Sequence, residues 1–164
     1  MAKRTKEEAL TIFKKFDTDH NGTIDEVEFV KGMMECFGIK EDDMNTGYGF
    51  FLTALFKLSD QSGFFKFKDN KLDLKEMTKV LAAVPEPLSN DPLENIAKTI
   101  FSILDADNNK YISKREFKKY AEAASMSKKV MARKLKEMDE DNNGKIDFNE
   151  FSDWISTTYE AIKN

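Results

Sequence analysis

Apolar residues along the chain fall in short stripes at helical spacing, separated by polar stretches rich in carboxylates. Ala9, Ile12, Phe13 and Phe16 share one face of a helix predicted over Thr5 to Phe16. Phe29, Val30, Met33, Met34 and Phe37 form a second stripe, which Gly38 should end. Phe51, Leu52, Leu55 and Phe56 follow, after a polar, Gly-containing connector from Glu41 to Gly49. Met77, Val80, Leu81 and Val84 make a fourth stripe; Ala97, Ile100, Phe101 and Leu104 a fifth. Phe117, Tyr120, Ala121 and Ala124, then Met131, Leu135 and Met138, then Phe151, Trp154, Ile155 and Thr158 complete the series. The fold class this predicts is all-α, with helices paired around polar loops.

Those loops repeat. Asp139 to Glu150 places side-chain oxygens at its first, third, fifth, ninth and twelfth positions, with Gly144 sixth. Oxygens at that spacing around a sharp turn are what a calcium ion with six to eight ligands requires. Asp17 to Glu28 has the same pattern, with Gly22 at the turn. Asp105 to Glu116 is a third copy, weaker in two respects: Ser113 is ninth and Lys110 sixth. The turn at that position wants a positive φ, which costs a residue with a Cβ about 1 kcal/mol. The third site is therefore predicted to bind more weakly than the first and fourth.

The candidate ligands are Asp17, Asp19, Asn21, Thr23 and Glu28; Asp105, Asp107, Asn109, Tyr111 and Glu116; and Asp139, Asp141, Asn143, Lys145 and Glu150. Thr23, Tyr111 and Lys145 would contribute only a backbone carbonyl, so their side chains are free to differ. The twelfth residue is Glu in each copy; its longer arm can offer both oxygens, which suits calcium over the smaller magnesium octahedron, with Mg²⁺ as the competitor. A single Asp/Asn-rich segment could be only a solvated turn, but three in phase with flanking helices are a repeat.

Between the first and third copies the pattern degrades. Asp60 stands where a first ligand would be, while Leu72, Asp73 and Glu76 look like eighth, ninth and twelfth positions, 17 residues in all. A 12-residue frame counted back from Glu76 puts Phe65 and Phe67, which have no oxygen to give, at ligand positions. This unit reads as one that kept its helices and lost its metal site; the alternative is a longer loop closing on a cation with backbone carbonyls. The rings of Phe64, Phe65 and Phe67 are expected in the core. Ile24, Leu72, Ile112 and Ile146 share the eighth position, which suits a short strand pairing loops one with two and three with four.

Pro85, Pro87 and Pro92 fall in one eight-residue stretch that cannot continue a helix. The organisation predicted is an N-terminal pair (1–84), a bent connector (85–92) and a C-terminal pair (93–164). The connector ends in a helix start: Asp91 as cap, Pro92 in the first turn, Glu94 three residues after the cap. Ser125 or Ser127 should cap the next helix but one.

Composition narrows the function. The formal charge is −4, and the N-terminal basic cluster Lys3-Arg4 with Lys6 reads as a solvated tail, so no nucleic-acid partner is expected. Cys36 is the one cysteine, which excludes an internal disulfide and fits a reducing compartment; beside Met33, Met34 and Phe37 it reads as a small core residue. There is no apolar signal core, no membrane-length run and no Gly at position 2, so no membrane anchor is expected, and the expectation is a cytoplasmic monomer. The lone Cys36 and lone His20 show no nucleophile spacing and the carboxylates are committed to loops, so an enzyme is not expected.

These motifs resemble the EF-hand superfamily over nearly the whole chain, as four hands of which the second is expanded. The Pro-rich connector and Phe-rich helices look like the compact sarcoplasmic calcium-binding proteins more than calmodulin with its extended central helix. The resemblance implies four helix-loop-helix units in two pairs, each pair joined by a short two-stranded β-bridge, and an intracellular calcium buffer binding about three ions. The calcium-triggered photoproteins are a related branch, but they need several His, Trp and Tyr around a bound luciferin, and here His20 lies inside a loop. The rival function is a sensor that grips a target protein helix in a groove lined by Met33, Met34, Met77, Met126, Met131 and Met138, unless these are ordinary core residues. Three Ca²⁺ would take the charge from −4 to +2.

Overall fold

The computed structural model describes residues 4–43, 46–60 and 69–163. Among these residues eight α-helices follow in order: α1 (Lys6–Phe16), α2 (Glu26–Phe37), α3 (Gly47–Ser59), α4 (Leu74–Ala83), α5 (Pro92–Leu104), α6 (Lys114–Ala123), α7 (Lys128–Met138) and α8 (Phe148–Lys163). Two short strands, β1 (Ile112–Ser113) and β2 (Lys145–Ile146), pair antiparallel.

Local chemistry accounts for the helix ends. Thr5, Asp25, Asp73 and Ser113 each accept from the backbone N–H three residues on, and Glu8, Glu28, Glu76 and Glu116 return the bond to the cap. Such caps contribute about 1 kcal/mol each. Gly38 ends α2 in the left-handed region, as its place in the stripe predicts. Of the two serines proposed to start α7, Ser127 is the cap; Ser125 instead takes a positive φ of 55° and terminates α6. Asp91 caps α5 by accepting from Leu93 N–H rather than from Glu94, whose carboxylate pairs with Lys98 at 2.7 Å.

The connector before α3 is shorter than the sequence suggests. Glu41–Asp43 form a 3-10 turn, and α3 starts at Gly47 on a Thr46 cap. Gly47 is packed against the Tyr159 ring, where a Cβ would come within 2.5 Å of the ring edge. The rings of Tyr48 and Tyr159 lie 4.7 Å apart. Helix α3 packs on α2 within its own half and on α5, α6 and α8 of the other, so one core runs through the molecule. Phe29, Phe51, Phe56, Phe117, Tyr120 and Phe151 are its largest fully buried rings. The other three phenylalanines expected in the core, Phe64, Phe65 and Phe67, lie outside the described residues.

The connector 84–91 is non-helical, as three prolines require. Arg4 ties the start of the chain to it, donating to Leu81 O and pairing with Glu86 at 2.7 Å. Loops three and four pair through β1 and β2, with Ile112 opposite Ile146. Loops one and two pair through a single bridge, Ile24 N–H to Leu72 O at 2.9 Å and Leu72 N–H to Ile24 O at 2.8 Å. All four bridge residues are buried. Tyr120 Oη and Trp154 Nε1, buried in the C-terminal half, have no hydrogen-bond partner among the described residues. Among those residues no helix is long and apolar enough to cross a membrane.

Candidate metal centres

The first loop shows how the sites are built. Helix α1 ends at Phe16 and delivers Asp17 into the turn; α2 begins at Glu26, and Glu28 in its first turn reaches back. Asp17 Oδ1 and Oδ2 accept from Asn21 N–H and Gly22 N–H, each at 3.0 Å. The N–H groups of the fifth and sixth positions are thus held on the first carboxylate, which fixes the turn. The third loop repeats the bonds with Asn109 and Lys110 on Asp105 (2.9 and 3.0 Å), and the fourth with Asn143 and Gly144 on Asp139 (both 2.9 Å).

Backbone dihedrals explain the sixth residue. Gly22 and Gly144 have φ of 84° and 78°, and Lys110 takes 69°. The lysine therefore occupies the strained conformation predicted for it, at a cost of about 1 kcal/mol. The fourth position is left-handed too, through His20, Asn108 and Asn142.

The twelfth glutamate clamps both halves of each loop. Glu28 Oε1 accepts from Thr18 N–H (2.8 Å), Thr18 Oγ1 (2.8 Å) and Asp19 N–H (3.2 Å), and its Oε2 from Asp25 N–H (3.1 Å). Glu116 joins Ala106 N–H (3.1 Å) to Ser113 N–H (2.9 Å); Glu150 joins Glu140 N–H (3.0 Å) to Asp147 N–H (2.9 Å). Burial would raise the Glu28 carboxyl, but the bonds from Asp25, Thr18 and Asp19 together hold it below the usual glutamate range. The ninth residue, one of the oxygens the spacing singled out, serves as the cap of the outgoing helix through Asp25 and Ser113, and Asp147 makes the same bond to Glu150 N–H at 2.9 Å.

The structure brings together Asp17, Asp19 and Glu28; Asp105, Asp107 and Glu116; and Asp139, Asp141 and Glu150. In each trio one oxygen per residue lies within 4.8 Å of the others. An all-oxygen, trianionic donor set around one point fits a hard divalent cation. The fifth residues lie beside these trios: Asn21, Asn109 and Asn143 donate to the third-position carboxylates at 2.8, 2.9 and 2.6 Å. Thr23, Tyr111 and Lys145 bind the fifth residues' Oδ1 through their own N–H, at 2.9, 2.9 and 2.8 Å. Lys145 Nζ also lies over the Tyr111 ring, 5.2 Å from its centre, a contact set up by the pairing of loops three and four.

The second hand keeps half of this scheme. Asn70 N–H binds Asp60 Oδ2 at 3.1 Å, as Gly22 N–H binds Asp17, and Asn70 has φ of 58°. Lys71 N–H binds Asp69 Oδ1 at 3.1 Å, as Thr23 binds Asn21. Asp69 and Asn70 are thus fifth and sixth positions that sequence reading passed over. The 12-residue frame counted back from Glu76 places them there, the same frame that puts Phe65 and Phe67 at ligand positions. Among the described residues, Asp60 and Glu76 belong to no trio within 4.8 Å. Burial raises the Asp60 carboxyl, and the nearby Asp69 charge adds to it against the Asn70 bond. Burial likewise raises Glu76 against the single bond from Asp73 N–H, and repulsion from Asp73, Asp60 and Asp69 adds to the rise.

Comparison with known proteins agrees with this geometry. The family model described as an EF-hand domain pair matches residues 94–156, and that described as an EF hand domain matches residues 8–36. The chain belongs to the EF-hand calcium-binding superfamily. Calcium-dependent protein kinase 4 of Plasmodium falciparum (isolate 3D7) is 28% identical over 154 residues, 90% of this chain and 27% of that protein. Its namesake in Plasmodium berghei (strain Anka) is 29% identical over 154 residues, with the same shares. The chain therefore spans about a quarter of the length of the curated relatives it matches. Among solved structures, the light-sensitive photoprotein berovin of the ctenophore Beroe abyssicola, in its Ca²⁺-loaded apoprotein conformation, is 14% identical, covers 95% of this chain and 88% of that one, and has a TM-score of 0.43. Another light-sensitive photoprotein is 14% identical, with coverage of 95% and 84% and a TM-score of 0.42. EF-hand domains and acidic loops of this kind bind calcium.

Proposed function

We propose that this EF-hand protein is a reversible calcium buffer that holds three ions, in loops 17–28, 105–116 and 139–150, and none in the expanded second loop. The ligands of each site would be the first, third, fifth and twelfth side chains with the carbonyl of Thr23, Tyr111 or Lys145. Magnesium competes for the same oxygens, with the second oxygen of each twelfth glutamate favouring calcium. The bridge between Ile24 and Leu72 and the β1–β2 pair support a division into two EF-hand pairs, 1–84 and 93–164.

The observation that carries the buffer role is the burial of four of the six methionines that a groove would need, Met126 and Met131 being half-buried. Met33, Met34, Met77 and Met138 are all at most 2% exposed, within the core cluster. They favour the core reading over a Met-lined groove held ready for a target. The sensor reading is favoured by one feature, a cleft of about 330 Å³ between α7 and α8 in which Met126, Trp154 and Ile162 stand among charged Lys134, Glu137 and Asp153. Fluorescence of the dye ANS, with and without calcium, separates the two. Little change is expected for a buffer, and a strong calcium-induced rise would overturn it. Calorimetric titration should count three sites, and two in Glu150→Gln; four equal sites would sink the reading of the second hand.

A further inference from the structure

The charge of the chain is placed unevenly. Between residues 114 and 136, nine Lys and Arg stand against two Asp and Glu, in a chain whose totals are 26 against 30. Of those two acids, Glu116 is buried in the third loop and Glu122 pairs with Lys118 at 3.6 Å. Arg133 and Lys134 share Glu137. Lys114, Arg115, Lys119, Lys128, Lys129 and Lys136 are exposed, and no ion pair joins them to other described residues.

Helical spacing gathers these charges. Lys114 with Lys118 and Arg115 with Lys119 are four apart on α6. Lys128, Lys129, Ala132 and Lys136 share one face of α7. The two faces meet at a cleft of about 270 Å³, where Lys114 and Lys136 stand over apolar Ala132, Leu135 and Ile146. Helix α7 is weakly seated: Met138 is its one buried residue, while Met131 and Leu135 are half-buried. With those apolar residues turned to the core, what α7 and α6 present outward is a cluster of Lys and Arg, the pattern that anionic lipid surfaces attract.

We propose that the α6–α7 face docks on an anionic lipid surface and that calcium in the fourth loop strengthens the docking. The partner is argued from charge complementarity. The free cations are five lysines and one arginine, spread over two helices. Point charges so dispersed suit mobile anionic headgroups better than a fixed carboxylate pattern, for which arginine forks are the fitted partner. The calcium coupling has a structural basis: Asp139, Asn142 and Gly144 of the fourth loop form another wall of the cleft. Neutralising the loop's acids would remove the negative field beside Lys136, within a Debye length of the bilayer.

The docking stands apart from the buffer reading and is measured in chelator; its calcium enhancement rests on that reading and is the difference between calcium and chelator. The full chain is sedimented with vesicles of phosphatidylcholine alone and of phosphatidylcholine mixed with phosphatidylserine. Binding to the mixed vesicles alone is expected, weakening as salt rises. The variant Lys114→Gln/Lys129→Gln/Lys136→Gln, its fold checked by circular dichroism, should partition about a hundredfold less well. A control with the same loss of charge on exposed sites elsewhere, Lys6→Gln/Lys14→Gln/Lys31→Gln, should bind like the parent. Equal loss in both variants, equal binding to neutral vesicles, no binding, or equally tight capture by soluble heparin would each overturn the docking. Equal binding in calcium and chelator would overturn the coupling.

Discussion

The first and second loops form a natural experiment within one pair of hands. Both outgoing helices start on an Asp cap with a reciprocal Glu, Asp25 with Glu28 and Asp73 with Glu76. Both offer an apolar eighth residue to the same bridge. Yet Glu28 is held below the ordinary glutamate range and Glu76 above it. The difference lies in the groups that reach each glutamate. Loop one brings Thr18 and Asp19 donors onto Glu28. In loop two, among the described residues, Glu76 accepts from Asp73 alone and faces the charges of Asp60, Asp69 and Asp73. The outgoing half is held in both loops by caps and core packing, while the partners that reach its glutamate differ.

Leu72→Ala attacks what the two loops share. Leu72 is fully buried at the bridge, so truncation should cost about 2–5 kcal/mol in denaturant unfolding. A loss below 1 kcal/mol would mean that the bridge is not where the loops depend on each other. Glu28→Gln attacks what separates them. It should weaken site one by about 100-fold or more, since even outer-shell changes cost 10–100-fold, and calorimetry should count one ion fewer.

Thr18→Val tests the incoming donors alone. It removes the hydroxyl bond to Glu28 while leaving the backbone one, and should lower affinity at site one about tenfold. Unchanged affinity would move the cause of the difference elsewhere in the loop. Lys110→Gly extends the comparison to loop three. Relieving the positive φ should stabilise the chain by about 1 kcal/mol and tighten that site, read by thermal unfolding and calcium titration. The smallest effect is expected of Glu76→Gln, which should leave the count of bound ions unchanged. Loss of an ion there would erase the distinction between the loops.

Much of the site was legible because its determinants are local. Asp17 with Gly22, Asp105 with Lys110, and Asp139 with Gly144 bind across five residues or fewer, so spacing alone predicts their contacts. What escaped spans an insertion. Asp60 meets Asn70 ten residues away, and no fixed frame pairs them. Thr18 was missed as well, because a second-position residue enters no ligand count although its hydroxyl holds Glu28.

By itself the sequence determined the helices of the described residues, the phase of the loops, the eighth-position bridges and the break in helix at the prolines. Each follows from side chains acting on a backbone a few residues away, through caps, turns and periodic apolar faces. Only the tertiary structure decided that Gly47, at the start of α3, meets Tyr159, and that Ser127 rather than Ser125 caps α7. The same holds for the burial of Met33, Met34, Met77 and Met138, and for the meeting of Lys114 with Lys136 across a cleft. These depend on how two distant helices approach, which is set by packing the whole core and not by any one segment.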